Sequence, residues 1–315
     1  MFPELICFII FFMLSFVINQ KRLHKSFDSQ IRIPNKVVIV TGANTGIGFE
    51  TAKELARRGG RVILACRNLT KAHEAATKIK LATGHNVVVK HLDLASFRSI
   101  LAFAKDIIKT EGRVHILINN AGTGVLDNSL TEDNLPIEAQ VNHFGPFLLT
   151  MLLLPVMKNA PETARIINVT SILHVFGTVE NLDKQGKNFL ERRRVYANTK
   201  LANILFTKKL AEEVFSTNDN IMVNCCHPGA VYTDMFRDQP RIVKWMLKLM
   251  FLTPKQGAQT SIFLAVQELM PGLHTSGRYY TNCREDQPFA AAMDRGNAQR
   301  LWDLSFKVCF ADRRW

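Results

Sequence analysis

The sequence predicts a doubly wound parallel α/β sheet in a single domain, preceded by a membrane-spanning helix. Three observations carry this reading. From Lys36 onward, short β-branched runs alternate with segments of helical periodicity, the rhythm of a parallel sheet covered by helices on both faces. A glycine-rich turn joins the first such run to the first helical segment. Finally, residues 5–18 are almost wholly apolar, with Glu4 the only charge in the first 19 residues.

As a helix, residues 1–19 extend about 28 Å, enough for a thin bilayer. Lys21, Arg22, His24 and Lys25 follow at once. A cleaved signal peptide ordinarily has a basic start and a small-residue cleavage site, and neither is evident. The basic flank places the remainder of the chain on the cytosolic side. A signal peptide or a buried terminal helix is the alternative. Residues 20–35 are polar and basic, which suits a linker, and residues 36–315 form the expected catalytic domain.

"KVVIVT" (36–41) reads as a strand buried on both faces, followed by helical "IGFETAKELARRG". "RVILAC" is the second strand and "LTKAHEAATKIKLATG" the next helix. "NVVVKHLDL" and "SFRSILAFAKDIIKTEG" repeat the pattern. "VHILINNAG" gives a fourth strand and residues 132–157 a long helix. "ARIINVTS" supplies a fifth strand, the segment from Tyr196 a helix, and "NIMVNCCHPG" a sixth strand. Right-handed crossovers between parallel strands then give the doubly wound arrangement.

The chain has 315 residues, a net charge of +13 and six cysteines. Such a charge suits nucleic acid, an anionic membrane surface or a phosphorylated ligand. No zinc-finger spacing, RNA-binding motif or basic-region helix supports nucleic acid as partner. The cysteines show no metal-binding spacing, so they read as free thiols of a reducing compartment. Two glycosylation sequons, at Asn68 and Asn168, fall beside a strand end and inside a strand, where neither suits a glycan.

Gly42, Gly46 and Gly48 in "VTGANTGIGFE" stand between the first strand and the first helix. Small residues there let the backbone turn tightly and approach a pyrophosphate at a helix N-terminus. Asn44, Thr45 and Ile47 complete that turn. At the end of the second strand, where a carboxylate would bind the ribose of NAD, the chain has Cys66 and Arg67. A guanidinium fork fits a 2′-phosphate, which points to NADP(H).

"TGANTGIG", "NNAG" at 119–122 and "YANTK" at 196–200, in this order, resemble the short-chain dehydrogenase/reductase superfamily, a Rossmann-type fold, over residues 36–282. "ILACRN", "VNHFGPFLLT", "KLANILFT", "GAQTS" and "RLWDLS" narrow the resemblance to the microsomal NADP-dependent retinol dehydrogenases. The resemblance implies a catalytic set of Asn142, Ser171, Tyr196 and Lys200. It implies that Asp93 contacts the adenine side and that Asn119 steadies the central strand. It places Ala121 and Gly122 against the cofactor, and Pro228, Gly229 and Thr233 over the nicotinamide. Lys200 would hold the nicotinamide ribose, and Asn142 would bridge to water in a proton relay. Many members pair as homodimers through the helix bearing the tyrosine and lysine, so a homodimer is also an expectation.

The residue types make chemical sense. Reducing a carbonyl needs a hydride on carbon and a proton on oxygen. A free phenol has a pKa of about 10, and a neighbouring ammonium lowers it. Tyr196 and Lys200 are four apart on a predicted helix and share a face. Ser171 can hydrogen-bond the substrate oxygen.

Residues 241–254, "RIVKWMLKLMFLTP", match the family segment that lids a hydrophobic substrate pocket. Lys244 and Lys248 on this segment suit membrane phosphates, with a core or subunit-contact helix as the alternative, and the basic "ERRR" at 191–194 reads either as a solvated face or as facing lipid headgroups. The expectation is an endoplasmic reticulum enzyme, single-pass with its domain in the cytosol, reducing retinal or a similar lipid aldehyde. A steroid ketone or lipid-derived aldehyde is the alternative substrate, and an inactive NADPH-binding scaffold the alternative role. The "AGTGVLDNSLTEDNLPIEAQ" stretch diverges from the retinol dehydrogenase group near the substrate mouth.

Overall fold

The computed structural model describes Ser15 and residues 22–124, 129–186, 188–217, 220–232, 241–267 and 276–311. The expected membrane helix and Thr233 therefore lie outside the described residues.

Six parallel strands form where the apolar runs lie: β1 Val37–Thr41, β2 Arg61–Cys66, β3 Val88–His91, β4 Ile116–Asn119, β5 Ala164–Val169 and β6 Ile221–His227. Two further strands, β7 Tyr279–Thr281 and β8 Arg284–Asp286, extend the sheet, giving the order 3-2-1-4-5-6-7-8. β7 runs parallel to β6, and β8 is antiparallel to β7. This closing hairpin is absent from the sequence reading, because three-residue strands show too little alternation. It turns at Asn282 and Cys283, which both have positive φ (48° and 59°), as a two-residue turn of this hand requires.

The helices are α1 Gly46–Arg57, α2 Leu69–Thr83, α3 Phe97–Glu111, α4 Ile137–Lys158, α5 Phe189–Ser216, α6 Arg241–Met250, α7 Gln259–Val266 and α8 Arg295–Phe306. Successive residues of β1 point to opposite faces. Val37 and Ile39 enter one core, with Phe97 of α3, Phe147 of α4, Leu205 of α5 and Leu301 of α8. Val38 and Val40 enter the other, with Leu55 of α1, Ile79 of α2 and Leu264 of α7. Each such side chain contributes roughly 1.5–3 kcal/mol on burial. Doubly buried strands explain the continuous apolar runs.

α4 departs from the expected 132–157. It starts at Ile137 because Pro136 disfavours helical backbone in the residue before it; Leu130 and Pro136 pair instead as an isolated bridge. Its first part, Gln140–Phe144, is wound as a π-helix. Among the described residues α4 is the one helix long and apolar enough to cross a membrane, but its apolar window is 72% buried inside the fold. It is a core helix.

The segment before β1 lies along the domain. Asn282 donates to the Leu23 carbonyl at 2.9 Å and accepts from the Lys25 amide at 2.7 Å. The ring of His24 meets the Gln256 carbonyl at 3.0 Å. The Phe27 amide donates to the Gln259 side chain at 3.0 Å, and its ring packs edge-on against Phe263.

The chain reverses its direction of travel across the sheet between β1 and β4. In such sheets the carboxyl ends of the strands at this point open a crevice. Thr41 and Asn119 stand at those ends.

Candidate active site

The crevice has a side built from backbone. Gly42 and Gly46 have φ of +64° and +61°, a region that glycine enters without steric cost. A Cβ on Gly42 would stand 3.0 Å from Ala121 Cα; on Gly48 it would strike the Asn120 amide and lie 2.5 Å from the Gly42 carbonyl. Thr41 fastens this turn to the end of β4: its hydroxyl accepts from the Asn120 and Ala121 amides, both at 3.0 Å. The Asn120 side chain donates to the Thr41 carbonyl at 2.9 Å. Thr45 precedes α1 in extended conformation and makes no side-chain cap. The turn thus presents α1 amides toward the crevice, the donor set a pyrophosphate needs.

Arg67 is exposed directly beyond β2, and Lys71 lines a cleft with Asn44, Thr45 and Gly46. Lys71 escaped the sequence reading because one lysine in a helix carries no spacing signal. Asp93 at the end of β3 accepts from the Ala95 amide at 2.9 Å, turning the chain into α3. The Cys66 thiol is buried beside the Ala43 and Asn44 amides and held up at about 11. Among the described residues every cysteine is free. Asn68 caps α2 and Asn168 is buried, so each sequon asparagine has a structural place.

The opposite side is built from side chains. Along α5, Tyr196, Thr199, Lys200, Asn203 and Thr207 recur at helical spacing and face β5 and α4. Asn142 in the π-wound turn donates to Thr199 Oγ1 at 3.1 Å and to the Thr123 carbonyl at 2.8 Å; it accepts from the Thr123 amide at 2.7 Å. Asn119 donates to Thr150 at 3.0 Å and to Asn168 at 2.8 Å, and Asn168 donates to Thr207 at 2.9 Å. Asn119 thereby clamps β4 to β5 and α4. This buried stripe was invisible in sequence, because polar residues at helical spacing ordinarily mark a solvated face.

Ser171, Tyr196, Lys200 and Asn142 come together. Ser171 leads a short 3-10 turn, Ile172–Phe176, and its hydroxyl accepts from the Leu173 amide at 3.3 Å. Its side chain is also hydrogen-bonded to that of Tyr196. Lys200 Nζ lies 5.4 Å from the Tyr196 ring centre and donates to the Val169 carbonyl at 3.2 Å. A Cβ on Gly122 would stand 3.3 Å from Lys200 Nζ and 3.4 Å from Asn142 Oδ1. A glycine therefore keeps open the space that both groups face. The long interval between Ser171 and Tyr196 folds back on α5: a Cβ on Gly177 would lie 2.6 Å from the Ala197 carbonyl.

The electrostatics correct one expectation. Burial pushes Tyr196 up to about 12; the Ser171 hydrogen bond opposes this and the Glu138 charge adds to it. Lys200 is itself pushed down to about 8, again by burial. The ammonium does not lower the phenol in this state of the protein. Desolvation of both groups exceeds their attraction, and the lysine sits over the ring.

Beyond β6, Gly229 has φ +90°. The residues that follow pair with Leu252: the Tyr232 amide donates to the Leu252 carbonyl at 2.9 Å, and the Leu252 amide donates to the Ala230 carbonyl at 2.8 Å. Trp245 of α6 is 64% exposed. A Cβ on Gly257 would meet both Val231 and Ile47, which brings the 228–232 segment, with Pro228, beside the glycine turn. The crevice therefore fits a dinucleotide: amide donors and close-approach glycines on one side, an open space before Lys200 on the other.

Comparison with known proteins agrees with this geometry. The family profile for short chain dehydrogenase matches residues 36–242. The chain is 42% identical over 280 residues to retinol dehydrogenase 11 of Homo sapiens, covering 88% of this chain and 86% of that one. It is 41% identical over 284 residues to human retinol dehydrogenase 12, covering 89% and 88%. Among solved structures, L-sorbose reductase from Gluconobacter frateurii, complexed with NADPH and L-sorbose, superposes with a TM-score of 0.63 at 25% identity, covering 80% of this chain and 96% of that one. With the doubly wound sheet, the glycine turn and the gathered polar corner all in place, the chain belongs to the short-chain dehydrogenase family and is an oxidoreductase of that family.

Proposed function

We propose that the chain is a membrane-anchored NADP(H)-dependent reductase of hydrophobic carbonyl compounds, retinal to retinol first among them. The observation that carries this reading is the convergence of Ser171, Tyr196 and Lys200 opposite the glycine turn, with Gly122 leaving space between them.

In this reading the reduced nicotinamide, when bound, supplies the hydride. Tyr196 gives its phenolic proton to the substrate oxygen, and Ser171 donates a hydrogen bond to that oxygen as negative charge develops on it. Lys200 holds the ribose and favours the phenolate left behind. Asn142 has committed both amide hydrogens to Thr123 and Thr199. Its Oδ1 faces the same space as Lys200 Nζ, so it receives a water that returns a proton through the lysine. Arg67, seconded by Lys71, binds the 2′-phosphate, and NADPH in the L-sorbose reductase structure supports that preference. Asp93 lies toward the adenine, Pro228 and Gly229 over the nicotinamide.

Retinol as substrate comes from the names of the relatives. The exposed Ile172, Leu173, Phe176, Trp245 and Phe289 agree with a lipophilic partner. Anchoring rests on the apolar run at residues 5–18, and a cytosolic domain on the basic residues after it; the endoplasmic reticulum rests on the resemblance to the microsomal retinol dehydrogenases.

The test is NADPH oxidation by membranes carrying the chain, offered all-trans-retinal, a steroid ketone and a medium-chain aldehyde. Retinal turnover is expected, with a fall of about 10²–10⁴ in Tyr196→Phe. Turnover of the ketone alone would reassign the substrate. NADPH binding with no Tyr196-dependent turnover would leave a cofactor-binding scaffold.

A further inference from the structure

Three residues after Ser171 stands a histidine that no step above uses. His174 is 2% exposed, and both ring nitrogens are engaged. Nε2 lies 3.1 Å from the Phe289 amide. An amide N–H can only donate, so Nε2 is the acceptor and the proton of a neutral ring resides on Nδ1. Nδ1 lies 2.8 Å from the Ser171 carbonyl, the geometry of a donated hydrogen bond. The His174 backbone amide donates to the same carbonyl at 3.1 Å. Both lone pairs of that oxygen are therefore taken by one residue.

The ring spans two distant parts of the chain. On one side is the short turn that Ser171 leads, which closes on itself where Gly177 donates to the His174 carbonyl at 3.0 Å. On the other is the segment after β8, whose Phe289 side chain is 56% exposed. The Tyr279 ring of β7 lies 5.5 Å from the imidazole; the buried His227 of β6 is its titratable neighbour, and Asp286 of β8 in turn acts on His227. Among the described residues neither His227 ring nitrogen has a hydrogen-bond partner, so His227 does not compete for the Nδ1 proton. Burial holds both histidines below the usual imidazole range, consistent with the neutral tautomer that the hydrogen bonds require.

The consequence falls on the Ser171 hydroxyl. Its oxygen accepts from Leu173, and Tyr196 is its side-chain partner. The placing of that hydroxyl is only as definite as the backbone that carries the Cβ, and among the described residues His174 is the one side chain bonded to the carbonyl of Ser171. The exposed Ile172, Leu173 and Phe176 stand on the same turn, with Phe289 across the bridge. We propose that His174 is a positioning residue that locks Ser171 in its working orientation and ties it to the Phe289 segment. A substrate that presses on Phe289 thereby acts on Ser171. This inference rests on the role of Ser171 given above.

The experiment is a double-mutant cycle in the full-length membrane-bound chain, using the carbonyl that the wild type reduces fastest. Ser171→Ala comes first; unchanged turnover there removes the role of Ser171 and this inference with it. If Ser171→Ala is impaired, His174→Ala is expected to lower kcat by about 10- to 100-fold, an oxyanion-contact loss of partial size, with NADPH binding unchanged. In the Ser171→Ala background the same change should add less than about twofold, since residues that act as a unit are not additive. The basic pKa in the pH profile of alcohol oxidation should rise in His174→Ala, because Tyr196 loses an aligned donor. His174→Asn, which keeps a donor for the Ser171 carbonyl, should recover part of kcat and guards against a folding failure of the alanine variant. Thermal melts of all four variants separate folding from positioning. An equal loss in both backgrounds, or His174→Ala turnover within twofold of wild type, would overturn the proposal.

Discussion

The two sides of the crevice are made by opposite means. The glycine turn is shaped by what its residues lack: Gly42, Gly46 and Gly48 open a surface of backbone within seven residues of one another. The catalytic corner is shaped by side chains drawn from β4, α4, β5 and α5, each held by a partner distant in sequence. One side is local and cheap to build. The other buries hydroxyls, amides and an ammonium, and holds together only because nearly every one is bonded. The difference teaches where substitutions hurt. On the first side an added methyl does damage by filling space; on the second, removal of a group costs turnover, while stability can rise where the group removed is a buried charge.

Lys200→Met tests that contrast most severely. Turnover should fall by at least about 10², as for loss of a group acting in proton transfer. Yet the free protein should become more stable at pH 7. Lys200 is held at about 8 instead of its ordinary 10.5, so folding at neutral pH carries the cost of a buried cation. A displacement of this size is worth roughly 3 kcal/mol, and losing the bond to Val169 offsets part of it. The expected gain is about 1–2 kcal/mol. The sign is definite: between pH 8 and 10.5 the unfolded chain binds more protons than the folded one, so wild-type stability rises with pH there. The advantage of methionine should be full below pH 8 and gone by about 10.5. Chemical denaturation at pH 7 and pH 10 checks it, and a less stable Lys200→Met at pH 7 would contradict this account of the corner.

Gly48→Ala probes the other side. The new Cβ would strike Asn120 and crowd the Gly42 carbonyl, which should cost about 1–3 kcal/mol, lower the melting temperature by several degrees and weaken NADPH binding. Calorimetry with and without NADPH separates the two effects. Arg67→Leu is the mildest. It should raise the KM for NADPH about tenfold or more through loss of a charge-assisted hydrogen bond, leaving NADH kinetics unaltered. Equal losses with both cofactors would show that Arg67 does not read the phosphate.

The same contrast explains what could be read beforehand. β1, β2, β4, β5 and β6 were visible because each is buried on both faces and reads as an apolar run. The glycine turn was visible because its geometry is local. The four central residues were found only as separate motifs and a resemblance; their meeting depends on the register that sets Asn119 beside Asn168 and Val169 beside Cys226. Thr123, Thr199 and His174 carried no signal at all, since their importance lies in partners 19, 57 and 115 residues away. The lowered tyrosine pKa failed for a related reason. Helical spacing brings a lysine near a tyrosine but says nothing of how much water either keeps.

The segment just ahead of β1 bears on how the domain is held. Leu23, His24, Lys25 and Phe27 are each bonded to the hairpin turn at Asn282 or to the chain around Gln256 and Gln259. Only a few residues lie between Asn19, where the apolar stretch ends, and the first of these bonds. A kite on a long string turns freely; one lashed to its pole does not. If residues 1–19 lie in a bilayer, the face bearing Asn282 and Gln256 is kept against the lipid. The heading of the crevice, toward oily solutes or away from them, is then decided by four bonds in a stretch with no catalytic residue.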